Sequence, residues 1–191
     1  MSTPLIEIDT PRLLLRPPRP EDFDRWAALQ ADPQVAHYIG GVQPRPLAWR
    51  GFMVMAGCWS LLGFAMFSVI EKSSGRWIGR LGPWQPEGWP GPEIGWGLVR
   101  DAWGRGYATE GAAAAMEWAF LELGWTDVIH CIAPDNHASQ AVARRLGSRK
   151  RGPGHLPPPY EGSPVEIWGQ TRAEWMAAER NARSASPQAR K

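Results

Sequence analysis

Residues 93–111 read EIGWGLVRDAWGRGYATEG, and the order of elements in this run decides the architecture. A strand is expected over Glu93–Val99, then a glycine-containing turn over Arg100–Tyr107. An alanine-rich helix then runs from Ala108 to Leu123 and ends at Gly124. The first turn of any helix carries N–H groups with no partner in the helix, at the positive end of its dipole. Glycines at 104 and 106 allow positive φ and close approach of a ligand to the backbone. A diphosphate fits such a junction without a lysine. A plain strand–turn–helix junction, with the glycines serving only the turn, accounts for the same pattern.

Two common nucleotide motifs do not match. No G-x-x-x-x-G-K-[ST] run is present. The dinucleotide pattern G-x-G-x-x-G would need a glycine where Thr109 stands, and its strand would be a smooth aliphatic run. Here the strand contains Gly95, Trp96 and Gly97, and some ninety residues precede it. An NAD-dependent oxidoreductase is therefore the remote alternative.

Working outward, RLLLR (12–16) reads as a strand, and Pro20-Glu21-Asp22 opens a helix on which Phe23, Trp26, Ala27 and Gln30 follow at helical spacing. Short helices are expected over Pro33–Tyr38 and Pro46–Gly57. Strands at 63–71 and 76–82 form a hairpin through the KSSG turn, and 83–92 is a Pro/Gly loop. Beyond the central run come a strand over Asp127–Ile132, a helix over Asn136–Leu146, a Pro/Gly loop over 152–164, a strand over Val165–Gly169 and a helix over Thr171–Ala178. Early antiparallel strands followed by β-α-β-α make an α+β fold, a mixed sheet with helices on its faces.

Composition narrows the function classes. The 191 residues carry 21 Lys+Arg and 19 Asp+Glu, balanced in both halves, which argues against a polyanion binder working by bulk charge. Two cysteines exclude a disulfide scaffold and a zinc site built on cysteine pairs. His37, His130, His137 and His155 form no metal spacing, so no metal is expected. The uncharged stretch 51–70 is long enough for a membrane span. Its glycines and serines favour a split near Leu62-Gly63 into a buried helix end and a buried strand, so no membrane partner is expected. The N-terminus lacks a basic and then apolar leader, which favours a cytoplasmic location.

The run WGRGYATEG (103–111), with PDNHAS (134–139) and RRLG (144–147), resembles the GNAT N-acetyltransferase superfamily, and within it the RimJ/RimL-like branch. TPRLLLRP (10–17) and RAEW (172–175) fit as well, so the resemblance covers about residues 10–178. Trp103 stands where the family loop usually has Gln or Arg, and Ser148 where Phe usually follows Leu-Gly.

The resemblance implies a mixed, mostly antiparallel central sheet flanked by helices on both faces. It implies one acyl-CoA N-acyltransferase domain over 1–179 and a flexible tail over 180–191. It also implies acetyl-CoA as co-substrate. Main-chain N–H groups of Gly104, Arg105, Gly106, Tyr107, Ala108 and Thr109 would hold the pyrophosphate, with the Arg105 side chain adding a charge-assisted contact. Main-chain groups near Leu98 and Val99 would pair with the pantetheine amides. The acceptor would be an amine, on a small molecule or a protein N-terminus, attacking the thioester directly in a ternary complex. The family's members are monomers or homodimers, and no nucleic acid partner is expected. A non-catalytic acyl-CoA-binding or regulatory module on the same fold is the principal alternative.

Three side chains carry the expected chemistry. In an ideal strand Glu93, Gly95 and Gly97 share a face, so a carboxylate borders space left by two glycines, and Glu93 is the candidate base. By resemblance, Asn136 contacts the pantetheine or an ordered water, and Ser139 relays a proton to the sulfur. Helix capping is the ordinary use of both residues at these positions. Tyr160 is a further candidate proton donor. His130 and Cys131, adjacent on a strand, point to opposite faces. Arg144, Arg145, Arg149, Lys150 and Arg151 suit a helix end or the 3′-phosphate of coenzyme A. Trp26, Trp49, Trp59 and the two Pro-rich loops are expected to wall the acceptor site.

Overall fold

The computed structural model describes residues 6–185. Strands β1 (Ile8–Asp9) and β2 (Leu13–Arg16) come first. Helices α1 (Phe23–Ala31), α2 (Pro33–Ala36) and α3 (Arg45–Leu62) follow, then β3 (Phe67–Glu71), β4 (Arg76–Trp84) and β5 (Glu93–Leu98). The second half runs α4 (Tyr107–Leu121), β6 (Asp127–Ile132), α5 (His137–Arg145), β7 (Arg149–Gly154), β8 (Val165–Thr171) and α6 (Arg172–Ala185). The eight strands form one sheet in the order β1-β2-β3-β4-β5-β6-β8-β7. Every pairing is antiparallel except β5 with β6. This is the expected α+β sheet, mixed and mostly antiparallel.

The two faces of the sheet are covered differently. On one, α4 lies so close to β4 that a Cβ on Gly111 would sit 2.5 Å from Leu81 Cδ2. The alanines of α4 (Ala112, Ala115, Ala119) are fully buried for the same reason. On the other face Trp26 of α1 reaches the guanidinium of Arg80 on β4. Helix α3 backs α1 with Ala48, Phe52, Met55 and Trp59, spaced to form one buried stripe.

The uncharged stretch does divide at Gly63, whose φ of 78° ends α3 in the left-handed conformation. The helix end is exposed rather than buried as expected: Leu61 is 86% exposed and Leu62 55%. Among the described residues no helix is long and apolar enough to cross a membrane.

Three elements differ clearly from the sequence expectation, the first being α3, which runs to Leu62, past the expected end at Gly57. β7 occupies 149–154, where the sequence suggests a helix end or a 3′-phosphate contact for the basic run and a loop from 152 onward. Two of its basic side chains are paired across the sheet: Arg151 forks onto Asp127 at 2.6 Å and Lys150 pairs with Glu166. Helix α6 continues to Ala185, past Ala178, while the last six residues of the expected tail, 186–191, lie outside the described residues.

A buried ion pair ties the first helix to the sheet. Asp22, expected only as a helix-dipole acid, accepts from Arg16 Nη1 (2.7 Å) and Nη2 (2.8 Å), from the Arg19 amide (2.9 Å) and from Ser68 Oγ (2.7 Å). Burial by itself raises the Asp22 pKa, but these hydrogen bonds outweigh it and hold the carboxyl below its ordinary range. Removing one member of such a pair strands the other charge. Asp22→Ala should therefore lower the unfolding free energy by about 3–5 kcal/mol, measured by chemical denaturation.

Candidate active site

The site is built where the sheet divides. β5 and β6 share one parallel bridge, Glu93 with Ile129, in which the Ile129 amide donates to Pro92 O at 2.9 Å. The next bond of a parallel ladder would join the Cys131 amide to Ile94 O. Neither group is wasted. The Cys131 N–H donates instead to Glu93 Oε1 (3.1 Å), and Ile94 O pairs with His130 Nδ1 (2.7 Å). Two side chains thus replace the main-chain bond, and past this point the strands separate.

The separation leaves one edge of β5 turned to the gap. The Val99 amide donates to Ile78 O of β4, and Val99 O accepts from the Ala102 amide. By strand alternation the main-chain groups of Trp96 and Leu98 then face away from β4, into the gap. This corrects the expectation at one residue: Val99 has both groups engaged, and Trp96 takes its place beside Leu98. Leu98 O already accepts from the Trp103 indole at 2.8 Å. The departure at Trp103 therefore has a local use, tying the turn to the strand.

The expected turn follows directly. Gly104 (φ 70°) and Gly106 (φ 78°) are both left-handed, and Gly106 caps α4 without any side-chain cap bond. A Cβ on Gly104 would meet nothing within 4 Å. The first helical bond is Glu110 N–H to Gly106 O. Among the described residues the amides of 104–109 make no hydrogen bond. Helix α4 thus begins at Tyr107, one residue before the expected start.

The Arg105 side chain is committed elsewhere. It pairs with Glu71 (2.8 Å) and lies over the Tyr107 ring, whose hydroxyl also donates to Glu71 (2.7 Å). Arg12 donates to Arg105 O (2.9 Å) and pairs with Glu110 (2.6 Å). The separate runs TPRLLLRP and WGRGYATEG are therefore joined in space, and their side chains hold the turn open.

Across the gap, Asn136 Oδ1 caps α5 by accepting the Ser139 amide at 3.0 Å. Ser139 Oγ accepts from the Trp96 indole at 3.1 Å. An indole only donates, so the Ser139 hydroxyl proton remains available toward the gap. The structure thus brings Asn136, Ser139 and the β5 edge to one opening.

On the opposite side of the fork stands Glu93, 7% exposed. The register Trp84–Glu93, Gly82–Gly95 and Arg80–Gly97 puts it on one face with Arg80 and the glycines, as the strand pattern expected. Its Oε2 accepts from the Trp89 indole, and Trp89 in turn meets the Tyr160 ring edge-on at 6.4 Å. Tyr160 also packs on Gly40. Of the tryptophans expected to wall the acceptor site, Trp26 reaches this face through Arg80, and Trp59 is linked to it through its indole bond to Met66 O. Trp59 packs on Phe67 and Trp118, and Trp49 on Phe23. The residues that sequence reasoning missed are Arg80, Trp89 and Trp96. Their signal lies in strand register and loop return, neither of which is local.

Burial raises Glu93 to about 7, against the hydrogen bonds from Cys131 and Trp89 and the charge of Arg80. Burial pushes His130 down to about 4. Ile94 O can only accept, so Nδ1 carries the proton and Nε2 accepts from Ser148 Oγ at 2.9 Å. Burial and the adjacent Glu93 push the Cys131 thiol up.

These shifts oppose each other in stability. A histidine lowered on folding makes stability rise with pH between about 4 and 6.5. A carboxyl raised on folding makes it fall between about 4.5 and 7. From pH 5 to 6 the two slopes, each near 1.4 kcal/mol per pH unit, cancel. His130→Gln, which can still donate to Ile94 O, should unmask the Glu93 slope. Its unfolding free energy should then fall by about 1.4 kcal/mol per unit relative to the unmodified protein across that window. Denaturant titrations at stepped pH measure this directly, and parallel profiles would refute it.

The model described as the acetyltransferase (GNAT) domain matches residues 12–149. The uncharacterized N-acetyltransferase p20 of Bacillus licheniformis is 30% identical over 146 residues, covering 75% of this chain and 82% of p20. The uncharacterized protein YkkB of Bacillus subtilis is 34% identical over 87 residues, 44% of this chain and 51% of YkkB, so that match spans about half the relative. An acetyltransferase crystal structure from Agrobacterium tumefaciens shares the fold with a TM-score of 0.78 and 28% identity, over 90% of this chain and 98% of that one. RimJ of Mycobacterium smegmatis, solved with CoA-disulfide, shares the fold at 20% identity and a TM-score of 0.69, over 90% of this chain and 88% of that one. A glycine turn capping α4, a sheet that opens beside it and a matching family model over most of the chain lead to one conclusion: this chain belongs to the GNAT acetyltransferase family and is an acyltransferase.

Proposed function

We propose that the chain moves an acetyl group from acetyl-CoA to a primary amine, on a small molecule or a protein N-terminus, by direct attack in a ternary complex. The observation that carries this reading is Glu93, a buried carboxyl near neutrality at the fork of the sheet, on one face with Gly95 and Gly97.

The residues present fit acetyl-CoA. Unpartnered amides at 104–109 suit a diphosphate, with Gly104 leaving space for its approach. The β5 edge at Trp96 and Leu98 offers strand-like hydrogen bonds to the pantetheine amides. Arg105 serves by fixing the turn through Glu71, and Asn136 by fixing the start of α5. The thioester supplies the activated acetyl group.

The protein handles the protons. Glu93, ionised above pH 7, takes a proton from the incoming ammonium directly or through one water. As the tetrahedral adduct collapses its nitrogen releases its second proton to water, and Ser139, its Oγ accepting from Trp96, passes its own proton to the departing sulfur and recovers one from that water. Trp89 and the Cys131 amide hold the Glu93 carboxylate in place throughout.

Glu93→Gln should lower kcat for amine acetylation by about 100-fold. It should also remove the rising limb of the kcat–pH profile near pH 7, because the base form lies above that pKa. A thermal shift on adding acetyl-CoA should persist, by ligand linkage. Thiol-release kinetics over an amine panel provide the measurement. An unchanged kcat removes Glu93 from the reaction, and a shift with NADH but none with acetyl-CoA overturns the cofactor.

A further inference from the structure

The sheet carries two inward-facing arginines, and the chain treats them differently. Arg16 on β2 has its fork filled by Asp22. Arg80, two strands away on β4, has no carboxylate at ion-pair distance among the described residues. Its Nε is buried with no hydrogen-bond partner, its Nη1 donates to Met66 Sδ, and its Cζ lies 5.2 Å from the centroid of the Trp26 ring. The Trp26 indole N–H is also buried and unpartnered. Neither donor has a partner in the fold, which native proteins seldom leave so, although an acceptor that is likewise unpartnered, Gln30 Oε1, follows Trp26 one turn along α1.

Their position gives the absence a meaning. Arg80 faces Gly97 across the β4–β5 ladder, and Gly97 and Gly95 lead along the same face to Glu93. Above Gly97 the nearest side-chain atom is Ile39 Cδ1, 3.8 Å from where a Cβ would stand. Met66, which touches Arg80, also covers Gly95 next to the Glu93 carboxyl. The Met66 side chain thus lies between the guanidinium and the Glu93 carboxyl, whose charges act on each other across it, and a ligand spanning the two takes the place of its terminal methyl over Gly95.

We infer that Arg80 is the anion subsite for the acceptor, so that the substrates are amines that also carry a carboxylate. This rests on the amine-acetylating reading above and narrows it. A carboxylate accepts two parallel N–H bonds from a guanidinium, and the Trp26 indole supplies a further donor. The amine of the same molecule then lies over Gly95–Gly97 toward Glu93. A polyamine or a lysine-rich segment would bring its positive charge against Arg80 and is disfavoured. The carboxylate can belong to a free amino acid or to an acidic residue next to a peptide N-terminus.

The test uses the intact protein, acetyl-CoA and matched acceptors, followed by thiol release. One arm pairs phenylalanine with phenethylamine. The other pairs a C-terminally amidated Ala-Asp dipeptide with its Ala-Asn counterpart. The carboxylate partner should be preferred at least about tenfold in kcat/KM in one arm, and that arm names the source. In Arg80→Gln the preference should fall to about one, chiefly through KM, and Arg80→Lys should keep part of it. A thermal shift with acetyl-CoA confirms that each variant is folded. If Arg80→Gln does not fold, the preference of the unmodified protein and its change in Arg80→Lys decide the matter. No preference in either arm, or one that survives Arg80→Gln, overturns the subsite while leaving amine acetylation intact. No thiol release with any amine overturns both readings.

Discussion

Everything around the opening depends on how the chain satisfies two backbone groups that a continuous ladder would have joined. A buried N–H or C=O without a partner costs about as much as a lost hydrogen bond. A sheet cannot simply stop pairing in its interior. Here the Cys131 amide finds the Glu93 carboxyl, and Ile94 O finds the His130 ring. The fork is therefore a satisfied structure, held from β8 and the end of α5 as well. Ser148 links His130 to Gln170, which donates to Leu146 O. Replacing main-chain bonds with titratable side chains has an unavoidable electrostatic result. Both groups are dry, so burial moves both toward neutrality.

The turn before α4 is governed by a related constraint with the opposite solution. Its amides stay unpaired, so the loop needs support from its other side. Arg12, Arg105, Glu71, Tyr107 and Glu110 provide it, using carboxylates from β3 and α4 to anchor both arginines. Their charges are consumed in holding the loop, which leaves binding to main-chain dipoles. Under the proposed reading a diphosphate there would be recognised by its shape more than by its bulk charge, in keeping with a net charge of only +2.

What was legible in the sequence was what is local. The strand–turn–helix of 93–111, the left-handed glycines and the break at Gly63 each follow from short-range rules, and the structure has all of them. The face shared by Glu93, Gly95 and Gly97 follows from alternation alone. The misses are long-range. β7 looks like a loop because RKRGPG lacks apolar alternation, and only its main-chain ladder with β8, with Asp127 and Glu166 set against its cations, makes it a strand. Arg105 looks like a phosphate ligand until Glu71, thirty-four positions earlier, is brought against it. Val99 looks available until Ile78 takes its amide. Arg80, Trp89 and Trp96 carry no motif, and only register places them.

The proposed base also sets a limit on the acceptor. A carboxylate with a pKa near 7 receives a proton from an α-ammonium, pKa about 7.7–8.0, at a cost of roughly one unit, or about 1.4 kcal/mol. A lysine ammonium near 10.4 is more than three units away, about 4–5 kcal/mol, and that difference would appear directly in the barrier. Lowering the lysine pKa would require burying its cation. Arg80 helps by repelling a positive charge in that space, but this works equally against lysine binding there. A peptide N-terminal amine next to an acidic side chain escapes the conflict, because that anion neutralises Arg80 while the amine, unlike that of a free amino acid, keeps the lower α-amino pKa and needs only slight help from Glu93. The two charges on the glycine face thus select for the same molecule.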